Sequence, residues 1–144
     1  MGIKTRQKSA IYIVILAILL IVLVLTVGSE QDGISLIKIK NSEDLSEFLS
    51  SLGWECNLTE LTTQETTLPQ QFDDTFIAYN AIQLKQNCDL TKYAGKTVTV
   101  YIVPITNYTG STDPVLATVL VYKGKVIGGD LHSATMDGFM HGLR

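Results

Sequence analysis

The residues best suited to chemistry lie near the end of the chain, where Asp130, His132 and His141 follow the pair Gly128-Gly129. One carboxylate and two imidazoles could bind a divalent metal ion, which could then activate water for hydrolysis. Paired glycines after a strand more often allow a turn or a close approach of the backbone. A metal-dependent hydrolase is therefore the alternative hypothesis, and we expect no catalytic residues, metal or other cofactor.

A second set of polar groups lies on one predicted helix, where Tyr79, Asn80 and Gln83 are close in sequence. Together with Asp130 and His132 they could line a pocket for a peptide or a glycan, and these five are the candidate ligand-binding residues. Such groups more often connect a helix to a sheet, because buried polar groups need hydrogen-bond partners. The structural role is the favoured interpretation.

Cys56 and Cys88 are the only cysteines. A disulfide between them would close a loop of 33 residues and stabilise the fold by about 3.5–4 kcal/mol if its geometry allowed. Alternatively, both are small buried thiols. A hydrolase that pairs Cys88 with a histidine is conceivable, but no local signature supports it.

These residues all follow an apolar run that begins at Ala10 and ends at Val27. Its eighteen residues include seventeen apolar ones and would span about 27 Å as a helix, close to the thickness of a bilayer core. A cleaved signal peptide is the competing interpretation, although its apolar core is usually shorter. We predict a cytoplasmic tail at 1–9, a transmembrane signal anchor at 10–27 that contacts the lipid bilayer, a spacer at 28–33 and a domain at 34–144.

Charge orients this anchor. Three basic residues precede the apolar run, whereas all fourteen acidic residues and eight basic residues follow it. Basic residues stay on the cytoplasmic side, so the amino terminus is expected inside and the domain outside the cell membrane. The part after the anchor carries a net charge of −6, which disfavours nucleic acid as a partner.

The domain is predicted to be α+β, with a small antiparallel sheet packed by two helices. Alternation predicts a strand at 34–40, and helical spacing predicts a helix from Ser42 to Gly53. A strand should follow within 54–67, and a second helix with Pro69 in its first turn should end near Asn87. Strands at 97–105, 115–122 and 125–127 predict a meander, with Pro104 on an edge strand or at a bulge.

The order of several short motifs resembles domain-of-unknown-function family 4830. These motifs are Leu52-Gly53-Trp54-Glu55, Phe72 with Tyr79-Asn80 and Gln83, Asp89-Leu90 with Tyr93-Ala94-Gly95-Lys96, Asn107-Tyr108, and Gly128-Gly129-Asp130 with Asp137-Gly138-Phe139. The resemblance implies a small α+β fold in an exported protein of a Gram-positive bacterium. It implies no activity and no site residue.

Together these features predict a membrane-anchored, extracytoplasmic binding or accessory module of the cell envelope that is not an enzyme. Its partner would be another envelope protein or a small extracellular ligand.

Overall fold

The computed structural model describes residue 34 and residues 37–144. The predicted tail at 1–9, membrane anchor at 10–27 and spacer at 28–33 lie outside the described residues. Within the described residues, no helix is both long and apolar enough to cross a membrane.

The described chain forms a five-stranded antiparallel sheet and two α-helices, which confirms the predicted α+β class. The strands lie in the sheet in chain order. The elements are α1 (Ser42–Ser51), β1 (Thr62–Thr67), α2 (Asp74–Leu84), β2 (Thr97–Ile105), β3 (Val115–Tyr122), β4 (Lys125–Ser133) and β5 (Met140–His141).

Each face of the sheet is covered by one helix. Alternate side chains of a strand point to opposite faces, so β3 contributes to two separate apolar clusters. The first cluster joins α1 to one face through Leu45, Phe48, Leu49, Ala117 and Val119. The second joins α2 to the other face through Phe76, Tyr79, Val100 and Leu120. The site described below lies on the second face, beside α2.

The helix ends follow from side-chain caps and left-handed residues. Asn41 accepts a hydrogen bond from the Asp44 amide at 2.8 Å, so α1 begins at Ser42 as predicted. Gly53 has a φ of +91° and follows the end of α1. Asp73 caps α2, so the helix begins after Pro69 and not with it.

The end of α2 is also corrected by the structure. The helix ends at Leu84, three residues before the predicted end near Asn87. The backbone continues through a hydrogen-bonded turn, and Asn87 adopts a φ of +60°. Asn tolerates this left-handed conformation better than most residues, so it closes the turn that follows the helix.

The turn between β3 and β4 is confirmed, since Lys123 and Gly124 have φ values of +48° and +80°. The strand predicted at 125–127 is too short, because β4 continues to Ser133. Gly128 and Gly129 lie inside this strand, so the first of the two roles expected for them, a turn, is wrong. A Cβ at Gly128 would lie 2.8 Å from Oε1 of Gln83. These glycines therefore permit close approach of other groups to the strand.

The strand predicted at 34–40 is wrong for residue 34 and residues 37–40, and residues 35 and 36 lie outside the described residues. Lys38 forms only an isolated bridge with Lys125. Ile37 is 36% exposed whereas Ile39 is 2% exposed, so the two isoleucines do not share a buried face. The strand predicted within 54–67 is confined to Thr62–Thr67, because a 3₁₀ turn occupies Leu58–Glu60.

Pro104 marks neither an edge strand nor a bulge. β2 lies between β1 and β3, and its register with β3 is regular at Pro104. Its ladder with β1 stops at Ile102, opposite Thr62. Beyond that point the Asn57 amide donates to the Pro104 carbonyl at 2.9 Å. Pro104 is thus tolerated because β2 has no β1 partner at that position.

Candidate functional site

A chain of hydrogen bonds connects Tyr79 of α2 to Asp130 and His132 of β4. The Tyr79 hydroxyl donates to Oδ2 of Asp130 at 2.6 Å. Nδ1 of His132 lies 2.8 Å from Oδ1 of the same carboxylate. Asp130 and His132 are two residues apart on a strand and therefore share a face, which α2 partly covers.

The electrostatics of this chain follow from burial. The Asp130 side chain is 2% exposed and that of His132 is 24% exposed. Burial raises the pKa of Asp130 above its usual range, although hydrogen bonds from Tyr79 and His132 act in the opposite direction. Burial and the neighbouring carboxylate also raise the pKa of Tyr79, so its hydroxyl remains a hydrogen-bond donor.

This arrangement fixes the orientation of the His132 ring. When the ionised carboxylate accepts a hydrogen bond from Nδ1, the second nitrogen, Nε2, of the neutral ring is left as an acceptor. Within the described part of the chain, Nε2 has no hydrogen-bond partner. His132 therefore presents an oriented polar atom toward solvent.

Apolar side chains flank His132 on both sides. The strand register places Leu116 of β3 opposite His132, and Met140 of β5 opposite its other side. Directly opposed residues point to the same face. Leu116 is half-buried, and Met140 is 47% exposed. We call Leu116, His132 and Met140 the His132 strip.

Gln83 of α2 and Gln86, which lies two residues after the helix ends, have a structural role at the edge of β4. Gln83 Oε1 accepts from the Gly129 amide at 2.8 Å, and Gln86 Nε2 donates to the Gly129 carbonyl at 2.6 Å. Gln86 Oε1 accepts from the Leu143 amide at 2.9 Å. The two side chains thus replace a neighbouring strand where β5 ends. Nε2 of Gln83 is buried without a partner among the described residues.

Asn80 binds the turn after α2 rather than the site. Its Oδ1 accepts from the Leu90 amide at 2.8 Å, and its Nδ2 donates to Asp89 at 3.2 Å. Hydrogen bonds from the Thr91 hydroxyl and from Asn80 lower the pKa of Asp89. Of the five candidate ligand-binding residues, Tyr79, Asp130 and His132 come together, whereas Asn80 and Gln83 bind backbone groups.

His141 is not part of this arrangement. It lies opposite Leu131 in the sheet, and Leu131 belongs to the cluster on the α1 face. Its Nδ1 donates to the Gly142 carbonyl at 2.6 Å, and its Nε2 lies 3.0 Å from the Tyr108 hydroxyl. No group of three potential metal ligands occurs among the described residues.

The surroundings of His141 form an aromatic cluster that holds the end of the chain. Tyr108 stacks on Trp54 at 5.7 Å between ring centroids and on Phe139 at 5.0 Å. The Trp54 indole nitrogen donates to the Leu143 carbonyl at 2.7 Å. His141 therefore has a structural environment in which both ring nitrogens have partners.

Cys56 and Cys88 are not bonded to each other in the structure, and both adjoin the cluster on the α1 face. Cys88 is buried, and burial raises its pKa to about 11. A neutral thiol is a poor nucleophile, so this pKa argues against a reactive Cys88 at neutral pH. Pairing of Cys56 with Cys88 stays a prediction.

Sequence reasoning missed Leu116 and Met140. Their positions beside His132 depend on the strand register, which shifts at a bulge between Leu120 and Val121. A shift of one residue would turn the other face of β4 toward α2. No sequence signal located this bulge.

The model of a family described as domain of unknown function (DUF4830) matches residues 48–131. This match covers more than half of the chain, which therefore belongs to that family. No curated protein and no solved structure matches it.

The resemblance motifs pair with one another in the fold. Asn107 bonds the Gly53 carbonyl at 2.9 Å and the Glu55 amide at 3.0 Å. Asn80 bonds the Asp89-Leu90 motif, and Tyr79 bonds Asp130. The motif residues thus form three hydrogen-bonded connections within the fold. His132 bonds Asp130 of the third connection and is partly exposed.

Proposed function

We propose that this DUF4830 protein is a membrane-anchored binding module of the cell envelope without an enzymatic role. In this proposal it binds another envelope protein through the His132 strip. The observation that carries the proposal is the free Nε2 of His132, which Asp130 holds toward solvent. The other candidate polar residues are occupied by contacts inside the domain.

The composition of the His132 strip favours a protein partner. Half-exposed apolar groups beside a few oriented polar groups are typical of protein interfaces. Leu116 and Met140 supply apolar surface, and His132 supplies a hydrogen-bonding group whose direction is already fixed. A preorganised group loses less conformational entropy on binding. Binding would therefore bury both apolar side chains and provide a hydrogen-bond donor for Nε2.

The expected location rests on the sequence before the domain. The apolar run at 10–27 follows Lys4, Arg6 and Lys8 and precedes every acidic residue of the chain. A helix with this charge distribution leaves the following domain outside the cytoplasm. The six residues at 28–33 would keep the domain, and hence its partner, close to the bilayer.

A hydrolase that uses Asp130, His132 and His141 is the alternative. The Asp130–His132 pair favours it, because a carboxylate commonly orients a histidine that acts as a general base. Against it, His141 lies on the opposite face of the sheet and bonds Tyr108. Only two of the three proposed residues could then act together.

A photo-crosslinking amino acid in place of Met140 tests the binding proposal in native membranes. The matched control replaces Leu84, which is 54% exposed compared with 47% for Met140. We expect one defined adduct from position 140, none at the same mass from position 84, and loss of the adduct when His132→Ala is added. Equal adducts from both positions, or adducts that are insensitive to His132→Ala, would contradict the proposal.

A further inference from the structure

Among the described residues, the first strand of the sheet has a partner on one side only. β1 pairs with β2 only, and all six of its side chains are exposed. No described residue pairs with its other side. The opposite edge differs, because β5, Gln83 and Gln86 bind β4 there. Natural edge strands usually carry lysine, proline or a bulge that prevents pairing, whereas β1 carries a single charge, Glu65.

The direction of the free backbone groups can be read from the end of β1. The Leu68 amide donates to the Lys96 carbonyl at 2.9 Å, on the side of β2. Backbone groups alternate in direction along an antiparallel strand. The amides and carbonyls of Thr63, Glu65 and Thr67 therefore point outward, away from β2.

This alternation restricts how a second copy could pair with β1. In an antiparallel pair, a residue whose backbone groups point toward the partner strand lies opposite another such residue. When β1 pairs with its own copy, the two-fold axis must therefore pass through a position where one residue lies opposite the same residue of the second copy. A centre at Glu65 would oppose two carboxylates, which is unfavourable. A centre at Thr66 would oppose Thr63 to Pro69 of the second copy, and proline has no amide to donate. A centre at Thr63 would oppose Glu65 to Leu61, whose amide already donates within the preceding 3₁₀ turn. A centre at Gln64 avoids these three problems in its two pairs of Thr63 with Glu65.

We infer that two copies of the chain associate through β1, in an antiparallel pairing centred on Gln64. Thr63 opposes Glu65 of the second copy, and Thr62 opposes its Thr66. The two outward pairs form about four backbone hydrogen bonds. The result is a continuous ten-stranded sheet with two-fold symmetry, which closes the open edge of both copies.

A second copy fits this edge better than an unrelated extended peptide does. Domains that bind peptides along a sheet edge use side-chain pockets for specificity. Exposed side chains of β1 offer no such pockets, because five of the six are Thr or Gln and the sixth is Glu65. Facing threonines can instead bond each other, as the Thr67 and Thr97 hydroxyls do at 3.0 Å between β1 and β2.

Cysteine crosslinking of the full chain in membranes tests this pairing. The central pair is not hydrogen-bonded, so its Cα atoms would lie about 4.5 Å apart, within the range for a disulfide. We expect the Gln64→Cys variant to form a covalent dimer on mild oxidation with copper phenanthroline. The control is Gln71→Cys, since Gln71 is exposed but outside the strand. The wild-type chain measures the background from Cys56 and Cys88.

Proline substitutions give a second test, because they remove amides that only the second copy would bind. Thr63→Pro and, separately, Glu65→Pro are expected to reduce the Gln64→Cys dimer to the level of the Gln71→Cys control. Both leave the hydrogen bonds between β1 and β2 in place. A Gln64→Cys dimer no more abundant than the control, or one unchanged by both prolines, would overturn the inference.

Discussion

Replacement of Gln86 by methionine should strongly destabilise the fold. Methionine has a similar length, so little cavity forms, but it cannot bind the Gly129 carbonyl or the Leu143 amide. Both backbone groups belong to buried residues, and Gln86 binds them at 2.6 and 2.9 Å. An unpaired buried group costs about 1–3 kcal/mol, so the free energy of unfolding should fall by about 2–6 kcal/mol. The whole free energy of unfolding of a small domain is only about 5–15 kcal/mol.

Trp54 provides the assay for this variant. It is the only tryptophan, and its indole nitrogen donates to the Leu143 carbonyl at 2.7 Å. Urea unfolding of the full chain in detergent, followed by tryptophan fluorescence, therefore reports on the segment that Gln86 holds. Gln71→Met is the control, since Gln71 is exposed and an exposed substitution usually changes stability by less than about 0.5 kcal/mol.

The result that would refute this reasoning is equal stability of the two variants. If Gln86→Met unfolds within about 0.5 kcal/mol of Gln71→Met, the glutamine does not act as a substitute for a neighbouring strand.

Three further outcomes are expected. Burial raises the folded-state pKa of Asp130, so the free energy of unfolding should decrease as pH rises from about 4, the usual aspartate pKa, through the folded-state pKa. In urea titrations at several pH values, Asp130→Asn should show a smaller decrease than the wild-type chain. Gly129→Ala should lower the melting temperature, measured by circular dichroism, because its Cβ would lie 2.5 Å from a backbone carbonyl oxygen of β3. If the cysteines are unpaired, mass spectrometry after alkylation in denaturant should find two labels, and native alkylation of Cys88 should be slower than that of Cys56, since Cys88 is buried with a pKa of about 11.

The sequence predicted much of the sheet because its strands have strong local signals. The β-branched runs at Thr97–Ile105 and Val115–Tyr122 match the observed strands at both ends. Local signals failed where contacts between distant residues decide the structure. Gly128 and Gly129 resemble a turn in sequence, yet Gln83 and Gln86 bind Gly129 within a continuous strand.

The candidate site was only partly predictable for the same reason. The sequence indicated Tyr79, Asp130 and His132 as polar residues that could meet across a helix and a sheet, and the structure joins them. It did not separate His132 from His141, because only the pairing of β4 with β5 places the two histidines on opposite faces. Residue type alone does not distinguish His132 from His141.

Histidine footprinting with diethyl pyrocarbonate tests the central claim, that the His132 strip binds a partner. The chain has two histidines, and His141, with both ring nitrogens bonded, serves as an internal control that reacts slowly throughout. We predict that His132 reacts rapidly in the purified full chain and is protected in native membranes. Equal modification of His132 in both settings would contradict the account.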